Sequence, residues 1–426
     1  MFYWEGINIF VFEKTKIMQQ ITILTQYFYP DQGATSQLIT DLAKGLSQLG
    51  YTVNIFTGTQ SQKTTPESLN QITIHRSFSP IKSSTSIFSK ISSSLFFFVS
   101  AFTHITLHQP PQTPLLVASN PPYAGILGIY FHLIKSGKYH FLLQDIFPES
   151  AVMSGIIKPN CILFKLFNKL IYLTCKYSEQ TIVLSSSMQA YLEQKYPDIK
   201  TKIKIIENWA IEDIPTCKKQ DNKFAQQHNL TEVFTVLYSG NMGRLHDIES
   251  IAEAAKILQD KPIKFVFIGD GAKTKILEQT IQNHKLKNIL LLPFQPRELL
   301  SLSLTSCDIS LVSLIPGAEN IVAPSKLNGM LPAGRGIVAI STPNSYIDKL
   351  LIASGSGINI PPNQPQQLAN LILELSQQPE KVRSMGEKAR QLYENRYRFD
   401  RALKEYEKLL FSDLIVNDNI KSKLHF

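Results

Sequence analysis

The sequence predicts an α/β protein built as two tandem Rossmann-like domains whose parallel sheets face a shared cleft. Three observations carry this. Short apolar, β-branched runs alternate with amphipathic stretches, the pattern of parallel strands joined by helical crossovers. The alternation breaks at a polar, proline-containing stretch, 210–224, and then restarts. Finally, 426 residues at 43% hydrophobic is too long for one core, and two domains of about 200 residues each fit it.

Residues 1–17, MFYWEGINIFVFEKTKI, lack the basic n-region and the small-residue cleavage site of a signal peptide. The strand–helix series opens only after Met18, so 1–17 read as an N-terminal extension. A first domain, 18–212, follows, with strands expected at 21–28, 51–58, 72–78, 114–120, 139–147, 181–186 and 202–208. Between the first two, Leu38, Leu42, Leu46 and Leu49 fall on one helical face that closes at Gly50. A second domain, 213–394, places strands at 234–240, 263–270, 288–294, 309–314, 336–341 and 357–360. From Pro379 onward the chain reads as helical, rich in i,i+4 charge pairs, with 412–426 as a frayed tail.

The net charge of +9 is uneven: between Arg76 and Lys176 nine Lys/Arg face two acids, Asp145 and Glu149. That excess favours an anionic partner. No basic run or RNA-binding signature accompanies it, so nucleic acid is not expected. Cys161, Cys175, Cys217 and Cys307 are scattered and read as buried thiols in a reducing compartment. The apolar run 91–107 is interrupted by serines and a histidine and falls short of the roughly 20 residues of a membrane span. Segment 161–179 sets Lys165, Lys169 and Lys176 among Phe164, Phe167, Leu170 and Tyr172. Such a basic amphipathic helix suits an anionic membrane surface or, equally, a sheet-packed crossover with snorkelling lysines.

In open α/β sheets ligands sit beyond the carboxyl ends of strands, so the chemistry is sought in those loops. After the first strand, Gly33 precedes a helix start with Thr35 and Ser36. In the second domain, YSGNMGRLHD holds Gly240, Asn241, Gly243, Arg244 and His246, and IGDGAKTK holds Gly269, Gly271 and Lys273. Each of these two loops pairs glycine with a cation near a helix start, as a diphosphate site does. A third such place is Pro324-Ser325-Lys326, downstream of Glu319. A helix start needs only a cap and a proline, and a lysine in its first turn opposes the helix dipole. An anion at that helix start would explain the lysine. Dinucleotide, P-loop and α/β-hydrolase fingerprints are missing. No D-x-D is present, so no metal is expected.

Together, YSGNMGR, FIGDGA, LLPFQPREL, CDISLVSL, GAE…PSK and AGRG, with QYFYPDQGATSQLITDLAKGLSQLGYTV and QDIFPES, resemble glycosyltransferase family 4. This is a retaining GT-B family, and the likeness is greatest to exopolysaccharide and O-antigen transferases of the colanic-acid type. It covers about residues 18–411. The resemblance implies a donor nucleotide-sugar bound by the second domain and a final helix, 395–411, crossing back to the first. It also implies a saccharide or polyprenyl-diphosphate-linked acceptor at an anionic membrane surface, a cytoplasmic setting, and no cofactor besides the donor substrate.

Carried over residue by residue, Glu319 matches the first carboxylate of the family's E-x7-E motif, which contacts donor-sugar hydroxyls. Gly329 stands where the second would bind ribose. Lys326 and the Ser325 backbone meet the diphosphate. Asn241 replaces the family's arginine and His246 its lysine, with Arg244 supplying charge from nearby. Gly33, Gly240, Gly243, Gly269, Gly271, Lys273 and Phe294 complete the donor site. Gln144 and Asp145 end a strand where the transferred sugar is met, Asp145 orienting the acceptor and Glu149 a weaker candidate. Pro332 is expected to end its helix early, because it pushes Leu331 out of the α region.

Overall fold

The computed structural model describes residues 19–31, 33–58, 67–69, 71–77, 87–210 and 214–423. The 1–17 extension and the 212/213 domain boundary lie outside the described residues. The first sheet contains β1 Gln20–Thr25, β2 Thr52–Thr57, β3 Glu67–Leu69, β4 Ile72–Arg76, β5 Leu115–Ala118, β6 Tyr139–Leu142, β7 Thr181–Val183 and β8 Ile203–Ile205. Its order is β3-β4-β2-β1-β5-β6-β7-β8, parallel except for the β3–β4 pair.

The second sheet contains β9 Phe234–Ser239, β10 Ile263–Ile268, β11 Ile289–Leu292, β12 Ile309–Ser313, β13 Gly336–Ile340 and β14 Gly357–Ile360. All its pairs are parallel, in the order β11-β10-β9-β12-β13-β14. β5, β6, β12 and β13 are buried along their whole length. Helices cover both faces, which is why these strands read as apolar runs rather than alternations. Each strand expected from the sequence is present, most of them shorter at the carboxyl end, where the chain opens into loops. β3 was not expected; a three-residue edge strand carries no periodic signal.

On helix Ala34–Gln48, Leu38, Leu42 and Leu46 are buried, whereas Leu49 at the C-cap is 47% exposed. Gly50 closes that helix at φ 93°. The linker is shorter than 210–224. Lys219 is buried against Asp308 (2.5 Å), and Asn222 caps helix Lys223–Gln227 by accepting from the Ala225 N–H (3.0 Å). Phe224 and Ala225 join the second domain's core. Composition cannot distinguish such satisfied buried polar groups from a solvated linker.

Helix Pro379–Leu392 packs on the second domain, passes a π-type turn at Tyr393–Tyr397, and leads into helix Phe399–Lys423. There Leu403, Tyr406, Leu410 and Phe411 enter the first domain's core, Phe411 stacked on Tyr51 at 4.0 Å. The returning helix thus starts at Phe399 and runs into the segment read as a frayed tail. Around the cleft the domains also join directly. The Ile146 N–H donates to the Ile321 carbonyl (2.8 Å), and Asp145 pairs with Val322 in an isolated antiparallel bridge.

Candidate active site

The loop after β9 is shaped by backbone contacts to the loop after β10. Gly240 and Gly269 adopt φ 124° and 131°, which side-chain-bearing residues rarely do. A Cβ on Gly269 would lie 2.3 Å from the Gly240 carbonyl oxygen, and one on Gly271 2.5 Å from that of Met242. Gly269 and Gly271 are therefore required for one loop to lie on the other. Lys273 is also scaffolding. Its ammonium donates to the His246 carbonyl and pairs with Glu249, both at 2.7 Å.

Lys326 reaches into this loop. Its Nζ donates to the Asn241 carbonyl at 3.0 Å and lies 5.0 Å from the centroid of the Tyr238 ring. Burial lowers its ammonium to about 7. Gly240 is the floor of this arrangement, since a Cβ there would sit 3.2 Å from Lys326 Cε. Gly243 lies beside the Asn241 side chain. His246 does not replace the family's lysine as a cation. Its Nδ1 lies 2.7 Å from the Ser313 carbonyl, and burial, reinforced by Lys326, pushes the imidazole down to about 3. The ring is neutral.

The helix after Lys326 runs Leu327–Ala333, beginning two residues later than Ser325. Its opening turn is tightened by bonds from Leu327, Asn328 and Gly329 to the carbonyls of Pro324, Ser325 and Lys326. It also passes through Pro332 and ends at Gly334, φ 63°. Burial of Leu331, Pro332 and Ala333, with Arg390 donating to the Pro332 carbonyl (2.8 Å), outweighs the local preference against helix. Gly329 packs toward Leu304, leaving no polar side chain at the second motif position.

Glu319 lies in the tight turn Ala318–Asn320, entered through Gly317 at φ 83°. It is only 3% exposed, and its Oε2 has no hydrogen-bond partner. Leaving such a group unsatisfied costs about 1–3 kcal/mol or more, so a partner from a ligand is the natural completion. From the first domain, Asp145 faces the cleft; solvent reaches it, yet the protein packed around it raises its carboxyl to about 6. Gln144 accepts from the Thr35 hydroxyl (3.2 Å), tying the start of helix Ala34–Gln48 to the loop after β6.

Gly33 has ordinary backbone angles, and a Cβ there would meet only Asp31 Oδ1 at 3.4 Å. Neither turn nor packing demands glycine at that position. Glu149 turns one oxygen into its own domain, Oε1 accepting from Lys195 and from Tyr191 (3.1 Å), while its buried Oε2 has no hydrogen-bond partner. Arg244 spans the cleft to the Ser154 carbonyl at 3.0 Å. Phe294 is 60% exposed on the lip beside Gly269. Sequence reasoning missed Tyr238, Ser313 and Ser154. The first lies within a strand pattern, and the other two contribute only carbonyls. Among the described residues no group of three or more His, Cys, Asp or Glu is arranged to hold a metal ion.

Residues 219–392 match the family model for glycosyl transferases group 1. That match spans nearly the whole of the second domain. WbjE of Pseudomonas aeruginosa, named as a probable glycosyltransferase, is 28% identical over 265 residues, 61% of this chain and 65% of WbjE. WcaI of Escherichia coli (strain K12), named for a glycosyl transferase role in colanic acid biosynthesis, is 35% identical over 113 residues, 26% of this chain and 27% of WcaI. The match thus spans less than two thirds of either relative.

Among solved structures, sucrose-phosphate synthase from Thermosynechococcus elongatus superposes with a TM-score of 0.75 at 15% identity. It covers 94% of this chain and 100% of its own. Anabaena Alr3699/HepE, in complex with UDP and glucose, gives 0.70 at 15%, over 92% and 100%. The fold is GT-B. Family model and relatives together support a GT-B glycosyltransferase.

Proposed function

We propose that the protein is a retaining, family-4-type glycosyltransferase. It moves a sugar from a nucleotide-sugar to a saccharide carried on polyprenyl diphosphate, in exopolysaccharide, capsule or O-antigen biosynthesis. One observation carries this reading above the others: the buried Glu319 carboxylate, whose Oε2 has no hydrogen-bond partner, on the same segment as the Lys326 ammonium that lies along Gly240. A carboxylate needing hydroxyl donors and a cation suited to an anion, carried on one segment between β12 and β13, suit a sugar joined to a diphosphate.

In this mechanism the bond from the anomeric carbon to the diphosphate oxygen breaks. The acceptor oxygen bonds to the same face, and its proton passes to the departing diphosphate. Lys326 and Arg244 stabilise the charge that grows on the leaving group. The Ser325 N–H faces the diphosphate, Asp145 orients the acceptor hydroxyl, and Phe294 offers its face to the base. These side chains act without a cofactor.

The acceptor would arrive from a membrane. Along helix Ile162–Tyr177, Phe167 packs edge-on against Phe147 and Ile171 is buried, so the helix is a crossover on the sheet. Its outer face is a different apolar set from the one read in the sequence. Ile162 and Leu166 are 79% and 59% exposed, joined by Leu163 and by Ile156, with Lys158, Lys165 and Lys169 exposed among them. Helix Ile87–His108 adds exposed Leu95, Phe96, Val99, Phe102 and Leu107. Among the described residues no helix is long and apolar enough to cross a membrane. Apolar side chains ringed by lysines fit the headgroup interface of anionic lipid on its cytoplasmic face.

Incubating the purified protein with UDP-, GDP- and dTDP-sugars, with and without saccharide acceptors, tests the activity. Transfer or slow donor hydrolysis supports it; an epimerised donor, or binding with no turnover, removes it. Flotation with anionic liposomes tests the membrane face, and failure to bind at low salt removes that part.

A further inference from the structure

We propose that His246 is a positioning residue: it aims the Lys326 ammonium at the donor diphosphate and brings no charge of its own. The inference rests on the diphosphate reading above. It accounts for a loop after β9 in which Asn241 and His246 stand at the positions matched to the family's arginine and lysine.

The geometry leaves His246 one role. Its Nδ1 lies 2.7 Å from the Ser313 carbonyl. A carbonyl can only accept, so Nδ1 carries the proton and Nε2 holds the lone pair. Lys326 Nζ lies 3.4 Å from that Nε2 and 3.0 Å from the Asn241 carbonyl, with the Tyr238 ring 5.0 Å away. The Tyr238 hydroxyl donates to the same Asn241 carbonyl at 3.1 Å. A lysine ammonium is ordinarily a freely rotating point charge. Two of its N–H directions set by Asn241 and His246 also set the third, which is the kind of orientation that lowers a barrier before reaction.

The surrounding charges agree. Lys273, the other cation close to His246, is neutralised by Glu249 at 2.7 Å. Arg244 points away to Ser154. An imidazolium at 246 would remove the acceptor and place a second positive charge 3.4 Å from the lysine. The half-buried, depressed imidazole is what this arrangement requires.

The test uses the full chain. In two-bond ¹H–¹⁵N spectra of protein labelled at histidine, the His246 signal is assigned by its loss in His246→Gln. We expect the Nδ1–H tautomer, constant from about pH 5 to 8. An imidazolium in that range, or the Nε2–H tautomer, would overturn the proposal, whether or not nucleotide binds. Calorimetry with UDP, GDP and dTDP then compares variants. Glutamine can donate to Ser313 and accept from Lys326, so His246→Gln should stay within about threefold of wild type. His246→Ala should lose about tenfold. If His246→Lys binds more tightly than wild type, residue 246 is a direct cationic contact and the proposal fails. If no nucleoside diphosphate binds wild type, the diphosphate reading falls instead, and the spectrum still decides the tautomer.

Discussion

The Arg244 guanidinium donates to the Ser154 carbonyl at 3.0 Å, joining the loop after β9 to the end of helix Glu149–Met153 on the opposite domain. A helix C-terminal carbonyl is a natural partner for a cation, but the arginine is exposed and the contact is modest. To stabilise a leaving diphosphate, Arg244 must exchange this carbonyl for phosphate oxygens. We expect Arg244→Ala to lower kcat about tenfold, less than loss of the caged lysine does. Steady-state turnover decides it; a deficit larger than that of Lys326→Ala would reverse the ranking.

Lys326 and Glu319 should separate two halves of the donor. Lys326→Ala removes a charge-assisted contact worth about 1.5–3 kcal/mol. Because leaving-group charge grows in the transition state, kcat should fall on the order of 10²-fold, more than donor affinity does. Glu319→Gln should impair transfer while leaving nucleoside-diphosphate affinity nearly unchanged, since that carboxylate is assigned to the sugar. Turnover and calorimetric affinity of both variants check this, and near-wild-type turnover by Lys326→Ala would move the diphosphate site elsewhere.

A narrow pH optimum should follow from two displaced groups. The Asp145 carboxyl is raised to about 6 and accepts from the acceptor hydroxyl only when ionised, so kcat/KM should rise through that pH. The Lys326 ammonium is lowered to about 7, and diphosphate binds its protonated form, so kcat/KM and affinity should fall as pH climbs past that value. Asp145→Asn should flatten the acid limb and Lys326→Arg should push the alkaline limb upward. Stability has its own sign. Lys326 is harder to protonate folded than unfolded, so its contribution to stability improves as pH rises from about 7 toward the ordinary lysine value near 10.5.

Two glycine substitutions should behave oppositely. Gly269→Ala forces a Cβ to within 2.3 Å of the Gly240 carbonyl at φ 131°, so the protein should lose about 2–4 kcal/mol of stability. Gly33→Ala meets only a 3.4 Å contact with Asp31 and should leave the melting temperature unchanged. Thermal unfolding of the pair distinguishes a glycine needed for packing from one that leaves room at a helix start.

Much of the fold was legible because strand-forming runs and their helical partners are local features. The restart after the linker reported two cores, and the loops rich in glycine and cations marked the region where the site lies. The sequence could not report which glycines were open. Gly33 and Gly269 look alike in a βα turn, and only the packing of one loop on another separates them. Nor could it report which charges were engaged. Lys273 meets Glu249 and Glu149 meets Lys195, each across many residues of chain.

Residue order by itself determined the two-sheet architecture, the strand sequence and the position of Glu319 and Lys326 between β12 and β13. Hydrophobic periodicity and turn chemistry act over a few neighbouring residues and survive in any window of the chain. Only the tertiary structure decided that His246 is neutral, that Lys326 titrates near neutrality and that Glu319 is buried with an oxygen unmatched. Protonation state and hydrogen-bond satisfaction depend on burial and on partners such as Ser313 and Asn241, 67 and 85 residues away in the chain. Those partners meet only once the sheets are assembled.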